Sequence, residues 1–134
     1  MARHVAILRR EYLDAILRGE KTVECRVSQQ RRAPFGRVRS GDVIHLKQSG
    51  GPYRGLAIAG QVLSFGRAGP EVITEIEREY DPLIGAGQEY WTAKRDASYV
   101  TLVWLEQVSP SETGPDLRAV VSPGDRRGWH CLGD

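Results

Sequence analysis

A chain of 134 residues, 40% apolar and 27% charged, is long enough for one domain with one core, residues 1–134, and its ordinary composition excludes a disordered or fibrous protein. The apolar patch from Val5 to Leu8, hemmed in by Arg3, Arg9 and Arg10, is far too short for a signal peptide or a membrane span, so a cytoplasmic protein without a membrane partner is expected. The net charge of +2 conceals a segregation: residues 1–60 carry twelve Lys and Arg against five acids (+7), and residues 71–116 carry three against ten (−7).

Ten of the twelve early cations are arginines, whose planar guanidinium suits phosphate. The basic half is therefore expected to face a polyanion and the acidic half to keep the other side off it. The alternative is a chance distribution of solvated charge.

In chain order, Arg3 to Leu8 reads as a short strand. Glu11 to Arg18 has Leu13, Ile16 and Leu17 at helical spacing and an Asp14–Arg18 pair at i and i+4, and Gly19 supplies the stop. Then Val23, Cys25 and Val27 alternate with Thr22, Glu24, Arg26 and Ser28, the pattern of a strand with one core face and one polar face. A hydroxyl, a carboxylate and a guanidinium in a row, with Lys21 at the strand mouth, cost too much to bury unpaired. They lie in water or line a polar cleft, and the site is expected there.

Residues 29–39 form a basic loop interrupted by Ala33-Pro34-Phe35-Gly36. Phe35 amid Arg31, Arg32, Arg37 and Arg39 is the combination that stacks a base while holding its phosphates; equally, Phe35 could pin the loop to the core. Val38 to Asp42 turns into a strand from Val43 to Gln48, carrying Lys47, and a Gly-rich turn leads to a partner strand from Leu56 to Leu63, a hairpin. Ala57, Ala59 and Gly60 are small enough for close approach of a ligand or a neighbouring backbone.

Pro70 opens a second helix with Glu71 and Glu75 in its first turn and a stripe of Val72, Ile73, Ile76 and Tyr80, ending at Asp81-Pro82. One further turn carries Tyr90 and Trp91. Tyr99 to Val108 is apolar on both faces, which predicts a central strand covered on both sides. Arg118 to Val121 and Gly128 to Leu132 are short strands around the turn at Ser122-Pro123-Gly124-Asp125.

Cys25 and Cys131 are read as reduced core residues, and the three scattered histidines have no metal-binding spacing, so neither metal nor cofactor is expected. Mixed short strands with an early and a mid-chain helix point to an α+β fold, a small curled sheet or open barrel with helices at its openings.

The block Gly19-Glu20-Lys21-Thr22-Val23-Glu24-Cys25-Arg26 after an amphipathic helix, with Gly41-Asp42 about fifteen residues on and a late Tyr99-Val100-Thr101-Leu102 strand, resembles the ASCH domain over most of the chain. The resemblance implies a PUA-like pseudo-barrel with two or three helices flanking a cleft. It further implies nucleic-acid binding, or, in some small bacterial members, a ribonuclease or an N4-acylcytidine amidohydrolase. In the amidohydrolases a lysine at the position of Lys21 assists a threonine three residues later. Here that later position is Glu24, and a carboxylate cannot replace the hydroxyl in acyl transfer without forming an anhydride.

Two readings follow. A binding module would hold single-stranded RNA, another nucleic acid or a modified nucleotide in a basic cleft. Lys21 and Arg26 would lie on phosphate, Thr22 and Glu24 on a base edge, and Phe35, Trp91 or Tyr99 would stack, with Arg31, Arg32, Arg37, Arg39 and Lys47 in the basic surface. An enzyme would use Lys21 and Glu24, with Thr22 beside them, as its catalytic group, for RNA cleavage before deacylation. A row of exposed ion pairs worth under about 1 kcal/mol is the plain alternative to both.

Overall fold

The computed structural model describes residues 1–133. It contains β1 (Arg3–Leu8), α1 (Arg10–Leu17), β2 (Val23–Ser28), β3 (Val43–Gln48), β4 (Tyr53–Gly66), α2 (Gly69–Ile84), α3 (Gln88–Ala93), β5 (Tyr99–Pro110), α4 (Leu117–Val120) and β6 (Trp129–Gly133). The strands form one sheet in the order β2-β5-β4-β3-β1-β6. Among the described residues only β1 and β3 pair in parallel; the other neighbours are antiparallel. This is an α+β fold, a curled half-barrel with four helices, and it matches the barrel-with-helices architecture read from the sequence.

Two apolar cores lie on the two faces. Leu13 and Ile16 of α1 join Ala6, Ile44, Leu46, Ala57, Ala59, Val103 and Trp129 in the first. Ile73, Ile76 and Ile84 of α2 and Trp91 of α3 join Val23, Cys25, Val100 and Leu102 in the second. Strand β5 lies inside the sheet, between the edge strand β2 and β4, in keeping with its apolar residues on both faces. Ala57 and Ala59 are small because the first core packs against them.

Three local expectations are corrected. The stretch from Arg118 to Val121 is not a strand, because Asp116 accepts the Arg118 backbone N–H (3.0 Å) and caps a single helical turn. Asp14 pairs with Arg54 (2.7 Å) rather than Arg18, which turns to Glu20 (2.7 Å). Helix α2 runs through Pro82 to Ile84 and ends at Gly85, whose φ of 70° is left-handed and whose N–H reaches the Asp81 carbonyl (2.7 Å). Burial of Ile84 draws this last turn inward, and Asp81 anchors it by accepting from the Ala86 N–H (2.9 Å) and Trp91 Nε1 (2.8 Å).

Asp42, of the Gly41-Asp42 pair, is buried and accepts the backbone N–H of Ala2 and of Arg39 (both 2.9 Å). His4 Nδ1 accepts from Trp129 Nε1 (3.0 Å), which leaves Nε2 as the donor to Asp42 (2.8 Å). This chain of bonds ties β6 and the loop before β3 to β1. Both cysteines are free; Cys25 is buried and Cys131 half-buried. No helix among the described residues is long and apolar enough to cross a membrane.

Candidate nucleic-acid interface

Helix α1 ends where Gly19, with φ of 81°, lets the chain reverse, and the N–H groups of Glu20 and Lys21 both return to the Ala15 carbonyl (2.9 and 3.1 Å). The turn aims Lys21 inward. Its ammonium, 5% exposed, donates to the carbonyls of Val23 (2.8 Å) and Ile84 (2.7 Å) and lies 3.2 Å from Glu24 Oε1. Glu24, 6% exposed, also accepts the Cys25 N–H at Oε1 (3.2 Å). Its Oε2 accepts Arg26 Nε (2.9 Å) and Nη2 (2.7 Å).

The row is therefore a buried, compensated cluster and not a set of exposed ion pairs. Burial pushes the Glu24 carboxyl up, but the charges of Arg26 and Lys21 and their hydrogen bonds outweigh it, holding the group below its ordinary 4.5. A carboxylate depressed in the fold stabilises it fully above that ordinary value and loses the contribution as pH falls through the folded one. The acid limb of the Tm–pH curve should contain a component beginning below pH 4.5 that is absent in Glu24→Gln, which thermal melts of both proteins would show.

Arg26 has a second task. Its Nη2 donates to the Ile7 carbonyl on β1 and its Nη1 to the Gly128 carbonyl just before β6, each at 3.0 Å. Strands β2 and β6 are the two edges of the curled sheet, so this side chain clasps the seam between them. Four of its five N–H groups are held by Glu24, Ile7 and Gly128, so the structure gives Arg26 a clasping role beside the phosphate contact expected from the sequence.

A cleft of about 260 Å³ opens over the cluster. Lys21, Glu24 and Arg26 form part of its lining, Tyr12 of α1 and Tyr90 of α3 are aromatic lining groups, and Arg9 and Lys94 border it. The Lys21 ammonium lies 5.8 Å from the Tyr12 ring centre. A second hollow, about 180 Å³, shares Arg26 and Val27 with the first and is lined by Arg32, Phe35, Tyr99 and Arg127 among others. Here Phe35 meets Tyr99 edge-on (5.0 Å between centroids) and Arg31 lies over the Phe35 ring (5.1 Å).

The remaining candidates fall elsewhere. Thr22 precedes β2 with its side chain exposed, and its backbone bonds Leu83 and Leu105, so it lines neither hollow. Trp91 is fully buried in the second core with its Nε1 on Asp81, so it cannot stack a base. Lys47 donates to the Gly51 carbonyl (2.6 Å) at the β3–β4 hairpin and borders neither hollow. Arg37 and Arg39 are exposed on the basic loop, Arg37 beside a third hollow it shares with Arg127.

Tyr12, Tyr90, Arg9, Lys94 and Arg127 were not singled out by sequence reasoning. Tyr12, half-buried at the margin of the α1 apolar stripe, carried the one legible signal: an aromatic with a polar tip where the stripe meets solvent. Among the described residues no group of three or more His, Cys, Asp or Glu is placed to hold a metal ion.

The ASCH domain family profile matches residues 7–111, well over half the chain. The chain belongs to the ASCH family. In structure it is similar to the ASCH protein of Zymomonas mobilis, with TM-score 0.72 and 18% identity, covering 97% of this chain and 87% of that one. A single-substitution variant of the same protein gives TM-score 0.72 and 18% identity, covering 97% and 89%. The hypothetical protein PH0355 gives TM-score 0.52 and 17% identity, covering 80% and 97%. At these identities the likeness is one of fold. No curated protein sequence matches the chain.

Proposed function

We infer that this ASCH domain reads a base of single-stranded RNA, or a modified nucleotide, in the cleft over Lys21 and Glu24. The observation that carries this is the Lys21–Glu24 contact. At 3.2 Å it is the loosest bond Lys21 makes, beside 2.7 and 2.8 Å to carbonyls, and charge-assisted pairs ordinarily sit at about 2.7–2.9 Å. The ammonium gives all three of its protons to Val23, Ile84 and Glu24, so a base would be read by exchanging this longest bond, which sets a cation and a carboxylate side by side. That is the complement of an exocyclic amine beside a ring nitrogen, the edge offered by cytosine and adenine. Tyr12 and Tyr90 supply apolar faces for the ring, and Arg9 and Lys94 supply charge for its phosphate.

Catalysis has less to work with. A carboxylate held below the ordinary range is a weak base at neutral pH. Burial and the Glu24 charge push the Cys25 thiol up to about 12, so it stays protonated, and Thr22 lies outside the cleft. Ribonuclease activity, and N4-acylcytidine hydrolysis behind it, remain the alternatives because lysine beside carboxylate can move a proton. Two unpaired cysteines accord with the reducing cytoplasm as the place of action.

The test uses labelled single-stranded RNA, followed for both retention and integrity across a range of salt. Tyr12→Ala and Tyr90→Ala should each weaken retention about tenfold, the scale of one lost stacking contact. Lys94→Ala, at an exposed position, should flatten the salt dependence with the melting temperature unchanged. Shortened RNA whose production disappears in Lys21→Met would replace the reader with a nuclease.

A further inference from the structure

The two hollows meet at a common wall, Arg26 and Val27, and the second is the better furnished for a phosphodiester. Resting on the base-reading function of the cleft, we propose that the hollow bounded by Arg32, Phe35, Tyr99 and Arg127 is a subsite for the nucleotide next to the one in the cleft, so that the ligand is a strand of at least two nucleotides and not a free nucleoside.

Three observations support this. First, the hollow brings together segments far apart in sequence, the loop of residues 29–39, β5, and the turn before β6, which sets cations around an aromatic pair. Second, those cations are ordered. Arg31 is stacked on Phe35, Arg32 Nη2 donates to Gln30 Oε1 (2.9 Å), and Arg127 is fixed to Asp125 through Nε (3.0 Å to Oδ1) and Nη2 (2.5 Å to Oδ2). Holding an arginine in place beforehand lowers the entropy lost when phosphate arrives. Third, Arg32 and Arg127 line the hollow and no carboxylate does, while the outer face of α2 presents exposed Glu71, Glu75 and Glu79, which repel a polyanion. Arg26 bonds the Gly128 carbonyl on the rim, making one side chain the shared wall of both sites.

The experiment measures affinities of the intact protein for cytidine and adenosine monophosphates against the matching dinucleotides and a labelled octanucleotide. The dinucleotide should bind about tenfold tighter or more than the monophosphate. Arg127→Ala and Phe35→Ala should each erase most of that gain and leave monophosphate binding unchanged, and Arg127→Ala should lower the slope of log K against log salt for the octanucleotide by about 0.7. Thermal melts of each variant keep loss of fold separate from loss of binding. Equal affinity for monophosphate and dinucleotide would overturn the subsite and leave the cleft reading standing, as would a loss shared equally by both ligands in Arg127→Ala. Absence of binding by all of them would overturn both.

Discussion

Glu24→Gln should cost about 3–5 kcal/mol of folding stability, the range expected when one partner of a buried charged cluster is removed. The cause lies in what the substitution leaves behind. Lys21 and Arg26 would retain their charges beside a neutral amide, and if the amide nitrogen faces either one, a donor meets a donor. The double variant Lys21→Met with Glu24→Gln should recover part of that loss, since the buried ammonium goes with its partner, and a double-mutant cycle of denaturant midpoints would give the coupling directly. On the proposed reading RNA retention should not recover, because the donor and acceptor assigned to the base are both gone. A loss under about 1 kcal/mol in the single variant would place the cluster in the class of solvated surface pairs.

What the sequence disclosed about this site is tied to what is local. The stop at Gly19, the alternation in β2, the β3–β4 hairpin and the doubly apolar β5 all rest on residues within a few positions of one another. They gave the sheet and placed Lys21, Glu24 and Arg26 close together.

What it did not disclose depends on distant closure. The seam contact joins Arg26 to Gly128 across 102 positions, and no local pattern marks an arginine as a clasp rather than a phosphate ligand. Trp91 reads the same whether it stacks a base or fills a core; only Asp81, ten positions earlier and holding its Nε1, decides. Tyr90, its neighbour, meets it edge-on (5.1 Å between centroids) and borders the cleft, so a one-residue shift along a short helix separates the core aromatic from the site aromatic. Asp42 was legible as part of a turn motif, whereas its bond to His4 requires β1 and β3 to lie side by side, a parallel pairing with α1 and β2 between them in the chain.

Arg26 allows the sharpest separation of a structural role from a binding role. Arg26→Ala should cost about 3 kcal/mol, the low end for breaking a buried pair, because Lys21 still compensates Glu24 and the guanidinium is partly solvated, with 22% of the side chain exposed. Arg26→Lys preserves the charge, yet one ammonium cannot reproduce a planar fork that serves Glu24, Ile7 and Gly128 together, so most of the loss should persist. The damage should be localised. Arg26 lies 5.4 Å from the Trp129 ring centre, and Trp129 is 2% exposed, so opening the seam should uncover β6 before the rest of the sheet, as faster amide exchange from residue 129 onward. Gly128→Ala should act on the same clasp, since an added Cβ would come within 2.8 Å of Arg26 Nη1. A phosphate ligand makes the opposite prediction: removing its charge lowers the slope of log K against log salt by about 0.7 and leaves the fold intact. For Arg26→Ala the expected pattern is an unchanged salt slope on a less stable protein, because four of the five guanidinium N–H groups are held by Glu24, Ile7 and Gly128.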